Sequence, residues 1–211
     1  ALNSSYLMLN VISMFNVSRY MKEKTLMEIP GVGNEILPPV SIIVPAYNEA
    51  QTITQAVKAL MQLDYPVFEI IVVNDGSNDE TLSVMLECFK MEGFPEAHRV
   101  RLKTKNVISA YKSVLYKRLR LIDKENGRKA DSVNAGINVS RYPLVCVVDA
   151  DSILQTDSLK RVVQPFVFDS RTVASGGTVR IANGSDIRDG YIVQPRVPGK
   201  IIPLIQVVEY L

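Results

Sequence analysis

Three short runs in this chain are apolar without interruption: Ile42–Val44 in "SIIVPAYNEA", Ile70–Val73 in "EIIVVNDGSND" and Val145–Val148 in "VCVVDADSIL". A half-exposed strand alternates apolar and polar residues, so a strand apolar at every position has to be covered on both faces. The segments between these runs read differently. "QTITQAVKALMQL", "ETLSVMLECFKM" and "KADSVNAGINVS" have the spacing of amphipathic helices, and "TDSLKRVVQPFVF" follows the third run in the same way. "RVRLKT" and "RLRLID" are further strand candidates, and "TVASGGTVRI" closes the series. Short buried strands alternating with helices predict an α/β fold, a mostly parallel sheet with helices on both faces.

In such sheets ligands bind outside the carboxyl ends of the strands. Each buried run here empties into polar residues on that edge: Asn48 and Glu49 after the first, Asp75, Gly76 and Ser77 after the second, Asp149 and Asp151 after the third. Two carboxylates one residue apart repel each other unless a cation sits between them. An ordinary turn also favours Asp, but three polar exits converging on one edge point to a ligand and its metal ion. In extended backbone alternate residues project to the same side, so Asp149 and Asp151 can reach one region, and hard carboxylate oxygens suit Mg²⁺ or Mn²⁺.

Other chemistries fit less well. No G-x-G-x-x-G follows a strand, no G-x-x-x-x-G-K-[ST] is present, and "GVG" at Gly31–Gly33 lies in a Pro/Gly-rich linker. Two Cys residues without paired spacing and a single His98 exclude a zinc pattern and a disulfide framework, and fit a reducing compartment. An aspartyl-phosphate phosphatase could use the Asp-x-Asp pair, but leaves "VPAYNEA" and "NDGSND" without a task. The formal charge of +2 conceals a block from Arg99 to Lys129 with eleven Lys/Arg against two acids. Either an acidic membrane surface or plain solvation of a strand face accounts for it, with Arg99, Arg101, Lys103 and Lys105 alternating along "RVRLKTK".

Residues 1–37 read as an amphipathic N-terminal segment and linker, and residues 38–211 as the α/β domain. No window has the roughly 18 consecutive apolar residues of a spanning helix.

Taken together, "SIIVPAYNEAQTI", "EIIVVNDGSNDET", "DKENGRKADSVNAGI", "VCVVDADSIL" and "ASGGTVRIANG" resemble the family 2 inverting glycosyltransferases of GT-A (Rossmann-like) fold. The likeness is to the membrane-bound members related to cellulose, hyaluronan and poly-N-acetylglucosamine synthases. It spans about residues 38 to 183, in family order and spacing. It implies metal-dependent transfer of a sugar from a UDP-sugar to a saccharide or lipid-linked acceptor, with inversion and without a nucleic acid polymer as partner. It also implies a place at the cytoplasmic face of the cell membrane, with flanking spans elsewhere in the full-length protein. A nucleotide-binding sensor or scaffold without transfer activity is the alternative reading.

The resemblance also assigns residues. Pro45, Ala46, Tyr47, Asn48 and Glu49 would line the nucleoside pocket, with Tyr47 offering a ring face. Asp75 would accept hydrogen bonds from the uracil edge or ribose, and Gly76 would permit the turn and close approach of the nucleotide. Lys129 would neutralise the diphosphate, while Asp131 and Asn134, three apart on one helix face, orient the nucleotide. Asp151 would be the direct metal ligand, with Asp149 nearer the ribose. Gly176, Gly177 and Asn183 would lie toward the acceptor. The family commonly has Gly where Arg128 stands. Its general base belongs to a later Glu-Asp motif, and processive members add Gln-x-x-Arg-Trp. Neither motif occurs here and there is no Trp. The base is therefore unassigned and expected beyond Leu211, after the amphipathic tail "KIIPLIQVVEYL". Residues 1–211 are then a donor-binding portion, incomplete at the C-terminus and expected not to transfer sugar alone.

Overall fold

The computed structural model describes residues 37–95, 101–177, 186–188 and 191–194. The N-terminal segment, the "GVG" linker, Arg99, all of "TVRIANG" including Asn183, and the tail "KIIPLIQVVEYL" lie outside these residues.

The first buried run is β1 (Val40–Ala46), followed by α1 (Ile53–Met61). The second is β2 (Phe68–Asp75), followed by α2 (Thr81–Cys88). A short β3 (Met91–Gly93) and β4 (Val107–Ser113) precede β5 (Leu119–Lys124). Then come α3 (Arg128–Val139), β6 (Leu144–Val147) and α4 (Ser158–Phe168), and β7 (Asp186–Arg188) pairs with β8 (Tyr191–Gln194) as a separate ribbon. The main sheet has the order β3-β4-β5-β2-β1-β6, with β5, β2, β1 and β6 mutually parallel and β4 antiparallel to both of its neighbours.

Burial explains the uninterrupted apolar runs. Ile42, Val44, Ile70, Val72, Leu119 and Leu121 face one side, against Ile53, Val57 and Leu60 of α1, Met85 of α2, and Leu159 and Val163 of α4. Ile43, Ile71, Val73 and Ile122 face the other side, against Ala135 and Val139 of α3. Helices therefore cover both faces, as the alternation predicts. Close approach of α3 depends on Gly136, where an added Cβ would meet the Ile43 side chain at 2.5 Å. Ile43 is fully buried and has nowhere to move. Gly136→Ala should therefore destabilise the fold by about 1–3 kcal/mol through overpacking, despite the better helix propensity of Ala. Denaturant unfolding of the two proteins measures this difference.

Three sequence expectations need correction. "RVRLKT" is not a strand over its described residues: Arg101–Asn106 is irregular, and the alternating bases do not share a strand face. Helix α3 holds it instead, because Asn138 Oδ1 accepts the Arg101 and Leu102 N–H groups at 3.0 and 2.9 Å while Asn138 Nδ2 donates to the Leu102 carbonyl. The strand lies further on, at Val107–Ser113, where a register shift between Val107 and Ser109 interrupts the period of two. "PLVCVVDAD" forms a strand of only four residues, and Val145 and Val147 are 39% and 45% exposed rather than in the core. Strand β6 ends the sheet order among the described residues, while α3 packs over β1 and β2. Finally, Thr172–Gly177 of "TVASGGTVRI" is irregular.

Candidate functional site

Strand order locates the site. From β1 the chain proceeds outward to β2 and β5, then returns to place β6 on the opposite side of β1. The crevice at such a reversal, outside the carboxyl ends of the strands, is where α/β sheets bind ligands. The exits of β1, β2 and β6 and the start of α3 all open there.

The β1 and β2 exits are stapled to each other. The Asn48 N–H donates to Ser77 Oγ at 3.0 Å, and Asn48 Oδ1 accepts the Asn78 N–H at 2.9 Å. The Glu49 N–H donates to Thr81 Oγ1 at 2.8 Å, and the Ala50 N–H to the Asp79 carboxylate. Asn48 sits at φ 56°, a left-handed conformation that Asn tolerates better than most residues. These bonds leave Tyr47 on the surface, 47% exposed and beside Asn78, so its ring is available rather than part of the core. Pro45 and Ala46 belong to β1 itself, Ala46 fully buried. The Glu49 carboxylate turns back to accept the Thr52 hydroxyl, and so serves the start of α1.

Asp75 ends β2 and is only 3% exposed. Its Oδ1 accepts the Lys124 ammonium at 2.6 Å and the Gly127 N–H at 3.0 Å. Burial pushes the Asp75 carboxyl up, but the Lys124 ammonium, the Gly127 N–H and the Ser132 hydroxyl outweigh it and hold the group below its ordinary value. A carboxylate offers about four lone-pair positions, so Asp75 retains room for a ligand donor after these three bonds. The glycine at position 76 serves contact between loops: at φ 63°, its added Cβ would lie 2.8 Å from the Asn126 nitrogen. Asn126 Nδ2 in turn donates to the Asp75 carbonyl.

Helix α3 presents the third group. Arg128 opens it at φ 72°, a backbone conformation without steric penalty only for glycine. Arg128→Gly should thus stabilise the domain by about 0.5–1 kcal/mol, the relief of strain exceeding the added freedom of the unfolded chain. A raised thermal midpoint would show it. Lys129 is well exposed and paired with the Asp149 carboxylate, linking the start of α3 to the exit of β6. Asp131 is half-buried and turned toward β5, where it takes Lys124 Nζ at 2.7 Å and the Lys105 N–H. Asn134 is half-buried on the same helix, with no side-chain hydrogen bond to another described residue.

At the exit of β6, Val148 and Ala150 are buried while Asp149 and Asp151 project outward. The Asp151 carboxylate has no protein partner among the described residues. Those residues contain no cluster of three His, Cys, Asp or Glu side chains. A pair of carboxylates nevertheless fits Mg²⁺ or Mn²⁺ of the type shared with substrate phosphates, which complete the coordination. Gly176 and Gly177 are exposed and join none of these groups. The structure thus gathers Asn48, Asp75, Lys129, Asp131, Asp149 and Asp151 on one edge, and adds Lys124, which sequence reasoning missed.

The model of the family "Glycosyl transferase family 2" matches residues 41–106 and 101–202. The chain belongs to glycosyl transferase family 2. Its mixed six-stranded sheet with helices on both faces agrees with the GT-A expectation. Curated relatives include the poly-beta-1,6-N-acetyl-D-glucosamine synthase of Staphylococcus epidermidis, 28% identical over 149 residues, 70% of this chain and 30% of that protein. The synthase of Staphylococcus aureus strain COL is also 28% identical, over 159 residues, 75% of this chain and 32% of that protein. The chain therefore spans about a third of the length of these relatives. Similar solved structures include S. aureus TarS 1-349 in complex with UDP-GlcNAc, at 24% identity and a TM-score of 0.44 over 62% of this chain and 31% of that one. Another is the mannosyltransferase PcManGT from Pyrobaculum calidifontis in complex with GDP-Man and Mn2+, at 23% identity and a TM-score of 0.46 over 70% and 39%.

Proposed function

We propose that this domain binds a UDP-sugar and a divalent cation, and that the protein transfers the sugar, with inversion, to a saccharide or lipid-linked acceptor. One observation carries the reading: Asn48, Asp75, Lys129, Asp149 and Asp151 converge at the reversal of strand order in a family 2 chain. Tyr47 and Asn48 form one wall for the nucleoside, and Asp75 accepts from the base or ribose. Lys129 meets the diphosphate, exchanging its pairing with Asp149 for one with phosphate oxygens. Asp151, with Asp149 beside it, would hold Mg²⁺ or Mn²⁺. When bound, such a cation neutralises charge growing on the leaving nucleoside diphosphate.

The family relatives, named as synthases of an N-acetylglucosamine polymer, support a sugar polymer as product. The exposed bases among residues 101–129 support the reading that the domain contacts an anionic membrane surface, at the cytoplasmic face of the membrane. No helix among the described residues is long and apolar enough to cross a membrane.

Competition binding tests the nucleotide assignment. With Mn²⁺ present, UDP should displace a labelled UDP-sugar far better than GDP or CDP does. Equal displacement by all three would remove Asp75 from base recognition.

A further inference from the structure

Lys124 stands apart from the other bases of its block. Its side chain is fully buried; the ammonium donates to Asp75 Oδ1 and to the Glu125 carbonyl, both at 2.6 Å, and forms an ion pair with Asp131 Oδ1 at 2.7 Å. Asp75 and Lys124 are direct cross-strand partners at the last positions of β2 and β5. Asp131 approaches from α3, one turn into the helix. The same cluster clasps the loop between β5 and α3, since the Gly127 N–H and the Asn126 side chain both bond to Asp75. That loop leads directly into Lys129, whose ammonium reaches Asp149.

A buried ion pair is ordinarily structural, and among the described residues such a pair lies at the other end of the sheet, between Glu69 and Arg120. The Lys124 cluster differs in its place and its charge. It lies at the ligand edge and joins one cation to two carboxylates. Two carboxylates within 2.7 Å of one nitrogen are close enough to repel strongly if that nitrogen is removed.

We propose that Lys124 is a positioning residue for the nucleotide donor: its ammonium holds the Asp75 and Asp131 carboxylates together and so fixes the loop that delivers Lys129. This rests on the donor reading above, and it concerns a residue that does not touch the ligand itself. The groups bonded to the two carboxylates, apart from Lys124, are the Gly127 N–H and Ser132 hydroxyl on Asp75 and the Lys105 N–H on Asp131. No second described cation bonds either carboxylate, because Lys129 is engaged by Asp149. Without Lys124 the pair must share a proton to remain together, and rising pH removes it.

The test is UDP-sugar affinity against pH in the full-length protein with Mn²⁺. A UDP-sugar is suited to this because each of its phosphates carries one ester and the shared anhydride linkage, leaving a single strongly acidic oxygen that does not titrate near neutrality. The wild-type protein should bind with constant affinity from about pH 5.5 to about pH 8. Lys124→Met should bind about tenfold or more weakly at the upper end and recover as pH falls, since a proton then replaces the missing charge. The double variant Lys124→Met/Asp131→Asn removes the repulsion and should bind with a flat profile. Lys124→Arg keeps the charge but not the compact three-way geometry, and should show weaker, pH-independent binding. It carries the test together with the double variant if Lys124→Met does not fold. Variants whose affinity and pH profile match wild type, with only a lowered melting temperature, would overturn the proposal and leave the donor reading standing. A wild-type protein that binds no UDP-sugar would overturn both.

Discussion

Asp151→Asn should abolish the metal-dependent part of UDP binding and reduce sugar transfer by about 10²–10³-fold, the scale seen when one stabilising contact to developing charge is removed. The substitution preserves size and removes only charge. Asp151 is exposed and bonds to no other described residue, so folding should be unaffected. Its neighbour cannot substitute for it fully, because Asp149 is paired with Lys129 before any ligand arrives. Calorimetry of UDP binding with and without Mn²⁺ separates the outcomes. Wild type should bind weakly without the ion and tightly with it, whereas Asp151→Asn should bind weakly in both cases. An unchanged response to Mn²⁺ in the variant would place the cation elsewhere.

Glu69→Ala should destabilise the domain by about 3–5 kcal/mol, a large share of the 5–15 kcal/mol typical of a folded domain. Glu69 is almost fully buried on β2. It accepts Arg120 Nη2 and the Ser41 hydroxyl at 2.8 and 2.6 Å, and the Arg141 N–H at 2.8 Å. Arg120 also donates to the carbonyl of Val139 at the end of α3. The network therefore ties β1, β2 and β5 to the end of α3 and the turn before β6. Removing the carboxylate breaks a buried ion pair and takes the acceptor from the Ser41 hydroxyl and the Arg141 N–H, and these losses together are the main cost. Glu69→Met/Arg120→Met should recover much of the loss, because both members of the buried pair are then replaced by apolar side chains of similar length. Urea unfolding of the single and double variants gives the comparison. Equal losses in both would mean that packing, not charge, dominates at this position.

Much of the architecture was legible because it is governed by local patterns. Uninterrupted apolar runs marked β1 and β2, and amphipathic spacing marked the four helices to within a few residues. "VISAYKS" escaped because it mixes Ser, Ala and Lys with few apolar residues and carries a register shift. "RVRLKT" misled because its alternation looks like a strand, while its backbone bonds go to Asn138, more than 30 residues away in sequence. The site divides in the same way. Which strand exits carry Asp149, Asp151 and Asp75 follows from the local sequence. That Lys124 would be buried between Asp75 and Asp131 does not, since it depends on β5 lying beside β2 and on the depth at which α3 packs. Glu69 likewise reads as one polar residue in "FEIIVV", and its partners, Ser41, Arg120 and Arg141, come from three separate segments.

The central claim is that this strand edge is the donor site of a sugar transferase, and turnover tests it most directly. Full-length protein with Mn²⁺ would be given UDP-sugars, UDP-N-acetylglucosamine among them, and GDP-sugars, with saccharide and lipid-linked acceptors. Nucleotide release and glycosylated product would be measured together. The account predicts UDP release coupled to product for a UDP-sugar, lost in Asp151→Asn, and little from GDP-sugars. Nucleotide binding without turnover of any sugar nucleotide would contradict it in favour of a sensor, and phosphate release from a simple phosphoester would contradict it in favour of a phosphatase.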